Sequence, residues 1–287
     1  MSASASRSAN AVWGAALVSP NLLYLALVLL APLGIIAVYS FFTYSSTGVA
    51  LPILTLANYA KLGDPYYLRL LARTAGIALK TTLICVPLAY PVAYFLARAR
   101  PGVAFFGLFL LLTPLMVSPV VRAFGWLVLL GRTGVVAALL SRLGFGNGIE
   151  LMYSEFAVLV GLSHLLLPYM VLPLMASIAR IPSSIEEAAS NLGANGAQVF
   201  RKVVLPLSMP GLISGALLVY VEAASAFVMP ALLGGRHVRM IGNEVYDSML
   251  VSYNLPAASM LTVTLVAFTI AAIGSGLALA RAAGRSA

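Results

Sequence analysis

The chain has 287 residues, 61% of them hydrophobic and only 9% charged, with a mean hydropathy of +1.00 and a formal net charge of +9. Soluble domains carry about 25% charged residues, so this composition excludes a water-soluble globule and indicates an integral membrane protein. The basic residues are spread singly, without a stripe or a recognition motif, which speaks against nucleic acid and for positive charge at membrane borders.

A bilayer core needs roughly 20 apolar residues per helix. Six stretches reach that length, at about 13–42, 70–97, 104–130, 155–178, 211–234 and 257–280, separated by polar segments at about 43–69, 98–103, 131–154, 179–210 and 235–256. The expected fold is therefore an all-α integral membrane protein, one transmembrane domain over residues 1–287. The first stretch follows Arg7, is too long for a signal-peptide core and lacks a cleavage signal, so it reads as a retained span, kinked at Pro20 and Pro32. The segment after it holds Asn58-Tyr59 and Asp64-Pro65-Tyr66-Tyr67, a polar-aromatic run suited to an interface or a lid.

Pro87 and Pro91 in span two, Pro114 and Pro119 in span three, and Pro168 and Pro173 in span four each remove a helical hydrogen bond at membrane depth. Such breaks are tolerated beside protein or a water-filled pathway, which favours a transporter over an anchor; simple structural kinks are the alternative. Cys85, the single cysteine, reads as a small buried hydrophobe and excludes a disulfide framework or a cysteine-rich metal site. Lys80 lies deep enough in span two to need a partner. Arg122, between Pro119 and Trp126, reads as an outer-gate residue or as one whose head snorkels to the lipid headgroups. His164 in span four reads as a hydrogen-bonded interior residue.

The run from Pro182 to Pro206 is the long polar interruption of the second half. Ser184 with Glu187 three residues later predicts a capping-box helix start, and Gly193 a left-handed stop. After Asn195-Gly196, a second short helix through Val199 and Phe200 is expected to end near Pro206. The segment 179–210 thus reads as two short helices outside the bilayer, a handle on the bundle.

Glu222 lies well inside span five, where a carboxylate costs about 2.5–3.5 kcal/mol on insertion scales and should face the bundle interior. Ser225, Ala226 and Met229 are expected on its helical face, with Tyr220 and Phe227 on a neighbouring stripe. A carboxylate flanked by aromatic rings suits an aliphatic polyamine, through charge pairing and cation–π contact, and Trp126 and Tyr169 join this candidate pathway. The alternative is an interior ion pair of Glu222 with Arg122 or Lys80, or a protonated carboxyl. The last loop gathers Arg236, Arg239, Asn243, Glu244 and Asp247, a mixed-charge rim suited to protein contact or to plain solvation.

Glu187-Ala188-Ala189, then Gly193, Val203, Leu205 and Pro206, fall at the spacing of a known signature. The chain resembles the permease subunits of ATP-binding-cassette importers that carry the EAA motif, with Val203 where isoleucine is commoner. Arg122-Ala123-Phe124-Gly125-Trp126, Leu129-Leu130-Gly131, the run Leu166 to Leu174, Pro230 to Gly235 and Met240 to Asn243 resemble the spermidine/putrescine-type branch, over most of the chain from about Leu70 to Pro256. The resemblance implies that Glu186, Glu187, Ala188, Ala189, Gly193, Leu205 and Pro206 form a cytoplasmic coupling loop docking on a separate ATPase. It implies that the last loop, with Arg122, meets a solute-binding protein at an outer gate. It also implies a second, different permease subunit, two ATPase subunits and a bacterial inner-membrane location with both termini cytoplasmic. Counted on that orientation, the basic residues divide eight inside (Arg7, Arg98, Arg100, Arg180, Arg201, Lys202, Arg281, Arg285) against six outside (Lys61, Arg69, Arg132, Arg142, Arg236, Arg239), a weak positive-inside bias.

No Gly-rich phosphate loop ending in Lys-Ser/Thr occurs, so ATP and magnesium belong to a partner ATPase and this chain is not expected to be an enzyme or to hold a cofactor or metal of its own. A stand-alone channel or secondary carrier would predict acidic relays across several spans or an inverted repeat, and neither is visible. An intramembrane hydrolase would need a nucleophile and base, and the adjacent Ser163 and His164 point to different helix faces. Within the importer reading, polyamines suit Glu222, while iron, thiamine, opines, sugars or anions are the alternatives.

Overall fold

The computed structural model describes residues 2–45, 50–143 and 150–285; the side chains of Arg7, Arg281 and Arg285, counted above, lie outside the described ones. Hydrocarbon offers no partners to backbone amides, so apolar stretches close their own hydrogen bonds as helices. Helix α1 spans Ser2–Tyr39 and leads into an antiparallel hairpin of β1 (Phe42–Tyr44) and β2 (Ala50–Leu54), which qualifies the all-α expectation. The short α2 (Ala57–Ala60) follows. Asn58, expected at an interface or lid, is instead buried and donates to the carbonyls of Ser40 and Phe42, tying this segment to the end of α1.

Helix α3 (Pro65–Arg98) starts on the side chain of Asp64, whose Oδ1 accepts the Tyr66 N–H at 2.7 Å, with Pro65 in the first turn where no donor is needed. Its 34 residues extend about 50 Å, well past a 30 Å hydrocarbon core. Span three is not one helix: α4 (Pro101–Leu112) passes through a 3₁₀ turn at Thr113–Met116, the chain extends at Val117 and Ser118, and α5 (Pro119–Leu130) resumes. Of the proline pairs, only this one breaks its span. Pro119 bars helical geometry at the residue before it, and Ser118 Oγ caps the new helix by accepting from Val120 N–H at 3.3 Å. Pro87, Pro91, Pro168 and Pro173 sit inside unbroken helices.

After α6 (Val135–Arg142), helix α7 (Glu155–Ala179) forms the centre of the bundle, the most buried of the long helices. The segment 179–210 contains α8 (Ser183–Asn191) and α9 (Gly196–Val199), and α9 runs through a π turn at Phe200–Val204 straight into α10 (Leu205–Ser225). A second π turn at Pro230–Gly234, then α11 (Ile241–Leu250) and α12 (Leu255–Arg285), complete the described chain. Among the described residues, six helices or helix runs are long and apolar enough to cross a membrane.

Helices α3, α7 and α10 pack on one another around Ala78, Cys85, Ala89, Met170, Leu174 and Val219, all fully buried. Cys85 is thus a core residue, as its apolar surroundings suggest. In lipid there is no hydrophobic drive between helices, so close backbone approach through small residues takes its place. Gly211 and Gly215 supply it: a Cβ on Gly211 would lie 2.6 Å from the Pro173 carbonyl oxygen, and one on Gly215 3.0 Å from that of Met170. Helix α1 packs at the periphery against α12, and α4 turns Phe105, Phe106 and Phe109 outward.

Gly211→Ala should lower the stability of the detergent-purified chain by about 1–3 kcal/mol, because a backbone atom blocks the added methyl. Gly76→Ala, which meets nothing within 4 Å, should be neutral; thermal unfolding of the two variants side by side checks the contrast.

Candidate functional site

The α8–α9 segment stands at the same end of the bundle as the last turn of α3. Its start differs from the expectation: α8 begins at Ser183 with Pro182 at the cap position and no side-chain cap, so Ser184 and Glu187 form no capping box. The capping box of this segment lies at the start of α9, where Asn195 Oδ1 accepts from Gln198 N–H and Gln198 Oε1 from Asn195 N–H, both at 2.9 Å. Gly193 does take the left-handed conformation, at φ +88°. The second helix does not end near Pro206; the chain runs on through the π turn into α10, whose first turn holds that proline.

Two adjacent glutamates on α8 have different surroundings. Glu186 accepts a hydrogen bond from Tyr94 OH at 2.7 Å and a charge-assisted one from Arg98 Nη2, both on α3, and its side chain is only 14% exposed. Arg98 occupies the last turn of α3, where the helix dipole favours a cation. Glu187 points outward, with no side-chain partner among the described residues. A turn earlier on α3, Tyr90 shares a 2.7 Å hydrogen bond with Ser208 Oγ and meets Phe200 edge-to-face at 5.1 Å. The end of α3 therefore holds both α8 and the π turn that opens α10. Ala189 packs on the core while Ala188 is exposed, and Leu192, at the tip, is 90% exposed. Leu205 is half-buried and Pro206 exposed.

The side chains assigned to one solute pathway are not brought together. Helix α10 ends at Ser225 and Ala226 is extended, so Met229 leaves the face of Glu222 and Phe227 the neighbouring stripe; Met229 is buried under α7, and Phe227 stacks on Tyr246. Tyr220 borders a groove between α3, α10 and α12. Trp126 donates through Nε1 to His164 Nδ1 at 3.3 Å in a groove between α3, α5 and α7. Ser225 Oγ donates back to the carbonyls of Val221 and Glu222. Glu222 itself is exposed on this chain, and neither proposed ion pair forms, since Lys80 Nζ binds Glu155 Oε1 at 2.5 Å.

Arg122 is not at the rim. It lies one turn before Trp126 on α5 and within electrostatic reach of His164 and Tyr169, nine and fourteen residues along α7 from Glu155. At 1.5 Å per residue that is about 14–21 Å into the bundle. Its Nε and Nη1 are buried without a partner among the described residues.

At the opposite end, α11 gathers most of the last-loop residues. Arg239 Nη2 bridges Glu244 Oε2 at 3.0 Å and Asp247 Oδ2 at 2.5 Å, and Tyr66 OH of α3 donates to Glu244 at 2.6 Å. Burial alone would lower the Arg239 pKa, but the Asp247 hydrogen bond and the two negative charges outweigh it and hold the guanidinium above its ordinary value. Asn243, expected on the rim, is buried; it donates to the Phe227 carbonyl and accepts from Met240 N–H, so it fixes backbone. Arg236 is exposed beside a cavity of about 450 Å³ that Arg239, Asp247, Phe227 and Tyr246 also line. Sequence reading missed Tyr90, Tyr94 and Arg98, because their partners lie about 90 or more residues away and no local pattern joins them.

A bundle of apolar helices with one span broken inside it and a polar helical hairpin tied to its longest well-packed member is the architecture of a transport-system permease. Residues 32–284 match the family described as binding-protein-dependent transport system inner membrane component, and the chain belongs to that family. It is 34% identical over 247 residues to the spermidine/putrescine transport system permease protein PotB of Haemophilus influenzae, covering 86% of this chain and 82% of that one. With PotB of Escherichia coli it shares 37% identity over 230 residues, 79% of this chain and 84% of the other. Its fold matches a crystal structure of a bacterial ABC transporter involved in the import of the acidic polysaccharide alginate, with a TM-score of 0.76 over 96% of this chain and 98% of that one at 16% identity. The protein is a permease subunit of an ABC importer.

Arg98→Gln should free α8 and raise the rate of limited proteolysis between residues 183 and 195 severalfold, because Glu186 loses its charged partner. Glu187→Gln, at the exposed neighbouring position, should leave that rate unchanged.

Proposed function

We propose that this permease carries polyamines inward by alternating access, driven by ATP hydrolysis in a separate subunit. The observation that carries the reading is the division of labour on α8: Glu186 is bound to α3, while Glu187 and the Leu192 tip are free to enter a partner. A force applied to the hairpin is delivered to α3 through Arg98 and Tyr94, and to α10 through the unbroken run from α9. Two ATPase subunits that close on bound ATP and magnesium would draw two such hairpins together, and the attached helices would rock as rigid bodies. The hairpin end is then cytoplasmic, both termini lie on that side, and the α11 end faces a solute-binding protein.

The solute path runs between this chain and a second, different permease. Glu222, costly in lipid and exposed on the single chain, is on this reading covered by that partner and faces the path. The spermidine/putrescine systems named for the two PotB relatives support polyamines as the solute. The test is reconstitution in proteoliposomes with the partner permease, the ATPase and the binding protein, following radiolabelled spermidine and putrescine. ATP-dependent uptake is expected, and its absence for both solutes defeats the substrate assignment. Glu187→Lys should cut uptake by an order of magnitude or more with membrane insertion and thermal stability intact; normal uptake would remove the docking role. Glu222→Gln should reduce uptake severalfold, and an unchanged rate and affinity would take Glu222 out of the path.

A further inference from the structure

We infer that the cavity between α5, the second π turn and α11 is a binding site for an alkyl ammonium group, in which Arg239 is a resident cation that the solute displaces from Asp247. The inference rests on the polyamine reading above and assigns it a place in the molecule.

The cavity, about 450 Å³, is of the size that takes one small ligand. Its walls differ along their length. Val120 and Leu232 make an apolar floor, and the rings of Phe227 and Tyr246 stand beside it, stacked at 5.5 Å with 16° between planes and 42% and 46% exposed. Asp247 supplies the carboxylate lining it. Methylenes against the floor, ring faces near a cation, and one carboxylate are the complement of an aliphatic ammonium. The rings are also held in place before any ligand arrives. Asn243 binds the Phe227 carbonyl at 2.9 Å, Thr74 Oγ1 of α3 accepts from Ile241 N–H at 3.0 Å, and a Cβ at Gly242 would lie 2.9 Å from the Ala226 carbonyl oxygen, so α11 can sit this close only with glycine there.

Arg239 occupies the position a ligand cation would take. Its Nη2 bridges both carboxylates, and its Nε is buried with no acceptor among the described residues. Glu244 is separately supported by Tyr66 OH. Arg239 can therefore keep Glu244 and give up Asp247, so an incoming ammonium exchanges one ion pair for another and no carboxylate is left bare. This differs from a rigid structural bridge, in which Arg239 and Asp247 serve each other alone.

The two accounts predict opposite signs, which equilibrium binding of radiolabelled putrescine to the detergent-purified transporter, without its binding protein, can read. Asp247→Asn should weaken binding by about tenfold or more. Phe227→Leu combined with Tyr246→Leu should weaken it severalfold. Arg239→Gln should strengthen it severalfold, because the competing cation is gone. Thermal unfolding of each variant verifies that it is folded, and Asp247→Glu should recover part of the loss. If the wild-type transporter binds and transports putrescine but Asp247→Asn binds it equally well, the site is wrong and the polyamine reading survives. If Arg239→Gln and Asp247→Asn weaken binding alike, the bridge is structural and the displacement is overturned. If the wild type neither binds nor transports putrescine or spermidine, the polyamine reading falls and this site with it.

Discussion

The bond on which the rest depends is the one that joins a polar surface hairpin to an oily helix: Glu186 of α8 held by Tyr94 and Arg98 of α3. Both ions are more than three-quarters shielded from solvent, so the pair is screened little by salt, and removing either partner strands the other. The dipole at the end of α3 adds to the Arg98 charge preference. Tyr90 repeats the attachment one turn earlier through Ser208 and Phe200. A short helix such as α8 has little stability alone, and this lateral fastening is what gives it a fixed position on the bundle.

From that fastening, rigidity follows inward. Helix α10 grows directly out of the hairpin and lies against α7 through Gly211 and Gly215, where backbones approach too closely for any side chain. Helices α3, α7 and α10 thus pack as one block. Span three does not share this continuity: the chain between α4 and α5 is extended at Val117 and Ser118, and Arg122 sits just past the break with two buried nitrogens that have no partner among the described residues. Backbone of this kind is tolerated in a membrane where it lines a cavity or is covered by protein. On the proposed reading, the break and the exposed Glu222 are both covered by the second permease subunit.

The far end uses different chemistry for a related purpose. There α3, overlong for the bilayer, carries Tyr66 and Thr74 up to α11 and positions Glu244 and the start of that helix. The same long helix therefore organises both ends, a consequence of its length and of Asp64 capping it well beyond the Lys80–Glu155 pair. Arg239 balances the acidic residues of α11, and the stacked rings of Phe227 and Tyr246 close the side of the cavity.

Composition and periodicity by themselves determined that the chain is built of apolar helices long enough to cross a membrane and that Gly193 ends a turn in the left-handed region. These are local or bulk properties: transfer free energy acts on each segment separately, and a positive φ is a matter of one residue. Ser184 and Glu187 had the spacing of a cap yet form none, because the cap position falls two residues earlier, on Pro182, and leaves Ser184 inside α8. Glu222 lost Met229 from its face, and Phe227 from the neighbouring stripe, because α10 stops at Ser225, a stop with no proline or glycine next to it. Which glutamate would be anchored, where Lys80 would find its carboxylate, and how deep Arg122 would lie were decided only by tertiary packing. Each depends on partners tens to more than a hundred residues distant, and an ion pair or an aromatic contact leaves no periodic trace in either of the segments that it joins.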